Sequence, residues 1–274
     1  MGQLLSRKLY MYACLTLFAG VSLLPFLWMV SASLKNELEV FEFPIKWIPS
    51  PLRTENYREV FDQFPFVRYF WNSVKVSAAV TAGQLITCCL AGYAFSRLQF
   101  PGRDKLFVLY LATLMVPYQV IMIPQYFLMK NFGLLNSHWA LILLEIFSPF
   151  GVFLMRQFFM QISHELTEAA RIDGCGEFRI FGQIILPLSK PAFATLLIFS
   201  FSWVWNDFQA PLIYLHSDGL KTLTLGLASI QGQYFTQYNL IMAGAVIATL
   251  PVVVIFLAAQ RYFVSGLTTG ALKG

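Results

Sequence analysis

Long apolar runs separated by short polar connections dominate the hydrophobic pattern of this chain. A membrane-spanning helix needs about 20 predominantly apolar residues. Six runs meet that length, at roughly residues 10–32, 71–95, 106–128, 138–158, 191–215 and 239–262. They lack the ten-residue alternation of barrel strands, so each is expected to be a helix. The pattern therefore predicts an all-α integral membrane protein with six transmembrane helices.

The composition supports a membrane protein and excludes two other classes. The 274 residues are 57% hydrophobic and 12% charged, and the mean hydropathy is +0.62. Soluble domains are about 25% charged, so a soluble globular enzyme is excluded. Disorder is excluded as well, because it requires low hydrophobicity and high charge. The four cysteines (Cys14, Cys88, Cys89 and Cys175) have no paired or metal-binding spacing, which predicts neither a disulfide framework nor a metal site.

The basic residues of the short connections bear on orientation, because cytoplasmic loops are enriched in Lys and Arg. Two connections carry such clusters, Arg97, Arg103 and Lys105 after the second run and Arg171, Arg179 and Lys190 after the fourth. They predict that both connections, and hence both termini, are cytoplasmic. Residues 33–70 also carry five basic side chains on the opposite side. Charge alone therefore leaves the orientation open.

The order of runs and connections predicts three regions. Residues 1–70 form the first transmembrane helix and an extracytoplasmic segment, residues 71–262 the transmembrane domain, and residues 263–274 a cytoplasmic tail. The first run is longer than the apolar part of a signal peptide, so it is expected to remain as a span. Pro44, Pro49 and Pro51 make residues 33–70 largely non-helical, with a short helix expected near 57–64.

The connection between the fourth and fifth runs, at about 159–191, is too polar to span and too patterned to be a passive linker. Ser163 is expected to cap a first helix that ends at Gly174, a residue that tolerates the left-handed conformation. A second helix at 177–185 should place Phe178, Phe181 and Ile185 on one face and end before Pro187. Two short helices with a sharp bend between them would protrude from the membrane.

The first of these helices has the chemistry of a docking surface. Ala169 and Ala170 allow close approach of another backbone, and Glu168 offers a charge to be paired. An amphipathic loop lying on lipid headgroups would carry more basic residues than the four acids here allow. A protein partner is therefore expected.

The residues of this connection resemble the EAA signature of permease subunits of bacterial ABC importers. Glu168-Ala169-Ala170 is followed after three residues by Gly174 and after nine more by Ile184-Ile185-Leu186-Pro187. The strings AGYAFSR at 91–97, FPG at 100–102, WND at 205–207 and GLTTGALKG at 266–274 are similar to the carbohydrate-uptake branch. Within it, the chain resembles the second, six-helix permease of maltose-type transporters from about residue 25 to the C-terminus. The resemblance implies a type I ABC importer permease fold with cytoplasmic termini in a bacterial inner membrane.

The resemblance also implies a mechanism and partners. The EAA loop would be a coupling helix seated in a cytoplasmic ATPase subunit, with docking residues Glu168, Ala169, Ala170, Gly174, Ile184, Leu186 and Pro187. The tail would make a second contact with the ATPase through Gly266, Thr268, Thr269, Gly270 and Lys273. The implied partners are a second, different permease, two ATPase subunits, an extracytoplasmic solute-binding protein and membrane lipid, with no nucleic acid.

The ATP chemistry is expected to belong to another subunit. The sequence contains no GxxxxGK[ST] phosphate loop. ATP and Mg²⁺ would therefore bind to the partner ATPase, and this chain is expected to have no catalytic residue, no metal and no cofactor of its own. The expected cargo is a sugar, and the sequence does not identify which one.

Ionisable groups within spans are candidates for a translocation pathway or a subunit interface. Glu145 lies in the fourth run, and Trp205, Asn206 and Asp207 lie in the fifth. The alternative is hydrogen bonding between helices of this chain, which is common in membrane bundles. The same aromatic residues could also belong to an interfacial belt.

Two other functional classes compete with the permease. An intramembrane transferase acting on lipid-linked sugar or acyl groups would need clustered polar residues at one membrane face, whereas the three histidines are scattered over separate loops. A secondary transporter would usually show internal repeats with broken helices. Neither pattern accounts for the docking loop.

Overall fold

The computed structural model describes the backbone of residues 2–231 and 236–271 and the side chains of residues 7–231 and 236–260. Within this part, the regular structure is helical apart from one isolated bridge between Gln231 and Thr236. The α-helices are α1 (Gly2–Ser33), α2 (Glu55–Gln63), α3 (Phe66–Arg97), α4 (Arg103–Ala112), α5 (Tyr118–Asn131), α6 (His138–Glu145), α7 (Pro149–Gln161), α8 (His164–Ile172), α9 (Glu177–Ile180), α10 (Leu186–Leu188), α11 (Lys190–Trp205), α12 (Gln209–Tyr214), α13 (Leu223–Ala228) and α14 (Tyr238–Ala271). Short 3₁₀ turns lie at Glu37–Glu39, Thr113–Met115 and Asp218–Leu220, and a π-helical turn at Phe181–Ile185.

Four segments of the described chain are apolar and long enough to cross a membrane: Arg7–Ser33, Phe66–Arg97, His138–Gln161 and Tyr238–Gln260. Two further helix pairs pass the same test together but bend sharply. Arg103–Met115 and Tyr118–Asn131 meet at 100°, and Glu177–Leu188 and Lys190–Trp205 meet at 80°. The described part thus has four spans, or six if each bent pair is counted as one.

The third run forms two helices, because the chain breaks in front of Pro117. Val116 has an extended backbone (φ −82°, ψ 116°), and α5 begins only after Pro117. Proline lacks an N–H group and disfavours a helical conformation in the residue before it. The apolar run therefore folds as two helices at about a right angle.

The fifth run is also interrupted. Helix α11 ends at Trp205, and α12 begins at Gln209. The Asp207 carboxylate accepts hydrogen bonds from the backbone N–H groups of Gln209 (3.0 Å) and Ala210 (3.3 Å). A side chain that satisfies the first N–H groups of a helix favours a new start at that point.

The chain forms two compact units, residues 1–67 with 226–250 and residues 68–225 with 251–274. In the first unit, the helix expected near 57–64 is present as α2. Its buried Asn56 amide donates to the carbonyls of Ser33 and Lys35, both at 2.8 Å, and accepts a hydrogen bond from Asn239. These bonds hold the end of α1 against α2.

The second unit contains two hydrophobic clusters. One, the loop-side cluster, includes Cys88, Met155, Phe159, Ile180 and Leu196 and shares its end of the unit with residues 159–191. The other, the opposite cluster, includes Val76, Leu141, Tyr214 and Leu225. Close helix packing in the first cluster depends on small residues, because a Cβ atom at Gly92 would lie 2.8 Å from the Met155 Cβ.

A break between α6 and α7 leaves carbonyls that need partners within the bundle. The Gln84 amide of α3 donates to the Glu145 carbonyl (2.6 Å), and the Thr87 hydroxyl donates to the Ile146 carbonyl (2.6 Å). The Ser148 hydroxyl accepts from the Gly151 N–H and so caps α7. Side chains of a neighbouring helix thus satisfy the backbone where lipid could not.

Candidate functional site

Helix α8 is capped by Ser163, the residue that the sequence predicts as its N-cap. The Ser163 hydroxyl accepts a hydrogen bond from the Glu165 N–H at 3.2 Å, and the helix covers His164–Ile172. The Glu165 carboxylate lies at the positive end of the helix and Arg171 at the negative end, which stabilises the short helix. The predicted capping is confirmed.

Gly174 forms the bend after α8. Its φ is +79°, a left-handed conformation that L side chains rarely adopt, and no atom lies within 4 Å of the position that a Cβ would take. The Cys175 N–H reaches back to the Ala170 carbonyl at 2.9 Å and closes the end of the helix. Glycine is therefore required by the backbone conformation rather than by space.

The structure separates the two alanines of the EAA signature. Glu168 and Ala169 are exposed, whereas Ala170 is only 7% exposed and packs in the loop-side cluster. Ala169 and Ala170 are about 100° apart around the helix, so one can be exposed while the other is covered, and a docking role for Ala170 stays a prediction. Its small side chain allows α8 to lie close against its own subunit.

The second helical stretch does not keep the predicted face. A π-helical turn at Phe181–Ile185 interrupts the α-helical repeat between α9 and α10. Phe178 is 87% exposed, Phe181 is half-buried, and Ile185 is fully buried. Because the π turn changes the residue spacing per turn, Ile180 and Ile185 point into the core while Phe178 points away from it. The stretch also continues past Pro187 to Leu188.

The remaining docking candidates lie in this turn and directly after it. Ile184 and Leu186 are half-buried, and Pro187 is exposed. Large apolar side chains that the sequence pattern did not assign to docking are more prominent. Ile172 and Phe178 are each 87% exposed, and Leu166 is also exposed. On a polar connection, exposed apolar residues of this size are typical of an interaction surface. Glu168, Ala169, Leu166, Ile172 and Phe178 are called the docking surface below.

The docking surface is anchored to α3 through Glu177. The Tyr93 hydroxyl donates to Glu177 Oε2 at 2.5 Å, and Arg171 Nε donates to Glu177 Oε1 at 2.8 Å. The bond to Glu177 raises the pKa of the Arg171 guanidinium above its ordinary value. The Phe181 ring packs on the Tyr93 ring with centroids 5.1 Å apart. One carboxylate thus links the end of α8, the start of α9 and a membrane helix.

Arg97, one turn after Tyr93, makes a second link. Its side chain is 4% exposed, and its Nη2 donates to the carbonyls of Phe159 and Ile162 at the end of α7. The sequence pattern indicated no role for Tyr93 and used Arg97 only for orientation. A Tyr and an Arg four residues apart at the end of an apolar helix were the available signal, since that spacing places both on one face.

The pathway candidates of the spans have different surroundings. Trp205 is 2% exposed, with Phe201 and Phe70 at centroid distances of 5.3 and 5.6 Å. Asn206 is exposed and donates to the Ser202 carbonyl. The half-buried carboxylates of Glu145 and Asp207 lie close enough to interact electrostatically. The structure therefore brings the two acids together and places the Trp205 ring among aromatic side chains of the core.

Two other expectations concern the tail and metals. Gly266, Thr268, Thr269 and Gly270 fall on the backbone of α14, but their side chains, and Lys273 as a whole, lie outside the described residues. Among the described residues, no group of three or more His, Cys, Asp or Glu side chains could hold a metal ion.

The chain has relatives among known proteins in both sequence and fold. The family described as "Binding-protein-dependent transport system inner membrane component" matches residues 85–269. The arabinooligosaccharides transport system permease protein AraQ of Halalkalibacterium halodurans is 37% identical over 93% of each chain. The lactose transport system permease protein LacG of Rhizobium radiobacter is 36% identical over 96% of this chain and 95% of that protein.

The fold is similar to that of a solved transporter. A chain in the crystal structure of a bacterial ABC transporter that imports the acidic polysaccharide alginate superposes with a TM-score of 0.82. The match covers 93% of this chain and 96% of that chain at 22% sequence identity. At this identity the likeness shows the fold, which is that of a type I ABC importer permease.

Proposed function

Because the chain belongs to the family of binding-protein-dependent transport system inner membrane components, we propose that it carries an oligosaccharide across the membrane under the control of a separate ATPase. It is a multi-pass inner-membrane permease of an ABC transporter, a transport component rather than an enzyme. The main support for this proposal is the sequence identity of 36–37% with two sugar permeases over more than nine-tenths of each chain. These two relatives are named as transport proteins for arabinooligosaccharides and for lactose, which supports a sugar as the cargo of this chain. The same matches favour transport over the transferase alternative.

In this proposal the docking surface is where the ATPase acts on the permease. Exposed apolar side chains beside the Glu168 carboxylate provide both contact area and a charge to pair. The bend at Gly174 and the bonds of Glu177 to Tyr93 and Arg171 make this surface continuous with α3. A displacement of α8 would therefore move a membrane helix as a packed unit.

The proposed assembly contains a second, different permease, two ATPase subunits that bind ATP and Mg²⁺, and an extracytoplasmic binding protein. The family description supports the dependence on a binding protein. The exposed apolar side chains and the Glu168 carboxylate of the docking surface support the ATPase contact. The tail residues Gly266, Thr268, Thr269, Gly270 and Lys273 are proposed as a second ATPase contact.

The proposal places both termini and residues 159–191 in the cytoplasm. Cys175 is half-buried in this connection, Cys88 and Cys89 are buried, and Cys14 is exposed on α1. In a Cys14→Ser variant, a membrane-impermeant maleimide should label Cys175 in inside-out vesicles and not in intact cells. Labelling from the outside of intact cells would reverse the orientation and remove the proposed role of the loop.

The function is tested by uptake of labelled oligosaccharides in cells that carry Glu168→Lys. We expect uptake to fall about tenfold or more, because a reversed charge would oppose the partner. Asp173→Lys is the matched control, since it makes the same charge change at the C-cap of α8, where a cation suits the helix dipole. Normal uptake in the Glu168 variant, or equal loss in both, would contradict the assigned role of Glu168.

A further inference from the structure

A cavity beside the docking surface has lining chemistry that the transport mechanism leaves unexplained. It has a volume of about 500 Å³ and is lined by Arg97, Leu98, Gln99, Phe100, Arg171 and Glu177. This volume falls in the range of small-molecule sites. Two of the lining residues are cationic, two are apolar, and one is acidic.

The acid does not neutralise both cations. Glu177 Oε1 accepts from Arg171, and Glu177 Oε2 accepts from Tyr93, so both carboxylate oxygens are already bonded. Arg97 interacts electrostatically with Arg171 as a like charge. The two guanidinium groups therefore share a cavity whose one carboxylate is paired with Arg171 and makes no hydrogen bond to Arg97.

The Arg97 guanidinium has unmet hydrogen-bonding capacity. Nη2 donates to two backbone carbonyls, but Nε and Nη1 are buried and have no acceptor in the described chain. Buried donors on a charged group without partners are unfavourable, since the group has lost its hydration. An oxyanion in the cavity would offset the repulsion between the Arg97 and Arg171 guanidinium groups.

The cavity lies where a membrane helix ends. Arg97 is the last residue of α3, and α4 begins six residues later at Arg103. A neighbouring cavity that shares Gln99 and Phe100 is lined by Arg103, Asp104 and Lys105. Around both cavities, four basic residues therefore face two acids. On α4, Leu106 and Leu109 are exposed on one face, 51% and 67% respectively.

From these features we propose that the cavity lined by Arg97 and Arg171 binds the phosphate headgroup of an anionic phospholipid. The acyl chains would lie along the exposed apolar face of α4. Basic pockets at the cytoplasmic end of transmembrane helices bind anionic headgroups by electrostatic attraction. The exposed apolar side chains beside the cationic cavity favour a lipid over a free phosphate. Since Glu177 joins Arg171 to Tyr93, the bound headgroup would also stabilise the link between α3 and the docking surface.

The site on the cytoplasmic face rests on the orientation in the proposed function, but lipid binding can be measured without transport. The full-length chain, with the subunits that co-purify, is reconstituted in phosphatidylcholine nanodiscs and titrated with phosphatidylglycerol. Native mass spectrometry counts the retained phosphatidylglycerol and gives its apparent Kd. We expect Arg171→Gln to weaken retention about fivefold, which corresponds to one basic residue near an anionic surface.

Arg179→Gln is the matched control. It removes the same charge from the same connection, but Arg179 bonds to Gln183 and does not line the cavity. Arg97→Lys is the second variant, because it keeps the charge and loses the planar set of donors. It should also weaken retention, whereas Arg179→Gln should not. Equal loss in Arg171→Gln and Arg179→Gln would show general surface attraction and overturn the site.

Two further measurements identify the bound anion. Inorganic phosphate at the same concentration should not displace phosphatidylglycerol, and displacement would assign the site to a free phosphate. If Arg171→Gln prevents ATPase co-purification while lipid retention stays at the wild-type value, the cavity belongs to an acidic group of the ATPase. Intact uptake with equal lipid retention in all variants would overturn the lipid site alone. Loss of the ATPase from the wild-type protein would overturn only the proposed function.

Discussion

The Tyr93 hydroxyl donates a hydrogen bond to Glu177 Oε2 across 84 positions of sequence, at a distance of 2.5 Å. It joins α3 to the first residue of α9, and the other oxygen of Glu177 accepts from Arg171 at the end of α8. The carboxylate therefore connects a transmembrane helix to both sides of the bend at Gly174. In the proposed mechanism, a force applied at the docking surface would reach α3 through this contact and through the packing of Phe181 on Tyr93.

Replacing Tyr93 by Phe should weaken this connection while preserving the ring packing. We expect the free energy of unfolding to fall by about 1 kcal/mol, because the carboxylate loses one hydrogen bond in a partly buried position. Uptake should fall by more than the loss of folded protein explains. A double-mutant cycle with Glu177→Gln measures the coupling between the two residues from thermal unfolding in detergent.

The control for Tyr93→Phe is Tyr10→Phe, which removes a hydroxyl from a residue that is exposed on α1. It should leave both unfolding and uptake unchanged. A coupling energy near zero for Tyr93 and Glu177 would show that this hydrogen bond does not hold the loop.

A valine at Gly174 should disrupt the bend because a β-branched residue is strained at a φ of +79°. The strain is expected to be about 1–3 kcal/mol. Membrane insertion should remain normal, since residue 174 lies outside the spans, and uptake should be lost. Immunoblotting of membranes and sugar uptake measure the two effects.

Gly176→Val provides the comparison within the same connection. Gly176 has a φ of −73° and an extended conformation, and the space that a Cβ would occupy is free of other atoms within 4 Å. Valine should be accepted there with nearly normal uptake. Similar activity for Gly174→Val and Gly176→Val would mean that the bend has no role in coupling.

Serine at both Ile172 and Phe178 should weaken the association with the ATPase without destabilising the permease. Both side chains are 87% exposed, so the isolated chain loses little packing. In a partner interface, apolar anchors of this size contribute much of the affinity, and we expect a loss of tenfold or more. Co-purification and surface plasmon resonance with the ATPase measure it.

Ile180→Ser should show the opposite behaviour and is the control for this prediction. Ile180 is fully buried, so the change should lower stability by about 2–4 kcal/mol. Reduced unfolding temperature in the Ile172 and Phe178 double variant would instead assign those side chains to the core.

Valine at Gly92 should destabilise the packing of α3 against α7. An added Cβ would lie 2.8 Å from the Met155 Cβ and 3.0 Å from the Arg156 backbone nitrogen, which cannot move independently of the helix. We expect a loss of about 1–3 kcal/mol. Gly20→Val on α1, where no atom lies within 4 Å, should have little effect. Equal unfolding midpoints in detergent for the two variants would contradict the close helix contact.

The sequence was informative where one residue type answers one local requirement. Ser163 was predicted as a cap and Gly174 as a bend, and both are confirmed by hydrogen bonds and φ angles that involve only neighbouring residues. The burial of Ala170 could not be predicted, because the side of α8 that faces its own subunit depends on Ile180, Ile185 and other distant residues of the loop-side cluster. Sequence spacing orders the residues around a helix but does not show which face is covered.

Hydropathy and local chemistry determined by themselves that the chain is helical, crosses a membrane and presents a capped, bent connection. Apolar side chains leave water, and backbone groups in lipid must hydrogen-bond to one another, so both features can be read from the sequence. Pro117 indicates a break in the third run, but only the tertiary structure decided that residues 103–131 turn by 100° there, since hydropathy does not depend on the direction of a helix. The contact of Tyr93 and Arg171 with Glu177 was likewise decided only by the tertiary structure, since hydrogen bonds between distant segments depend on how the helices pack.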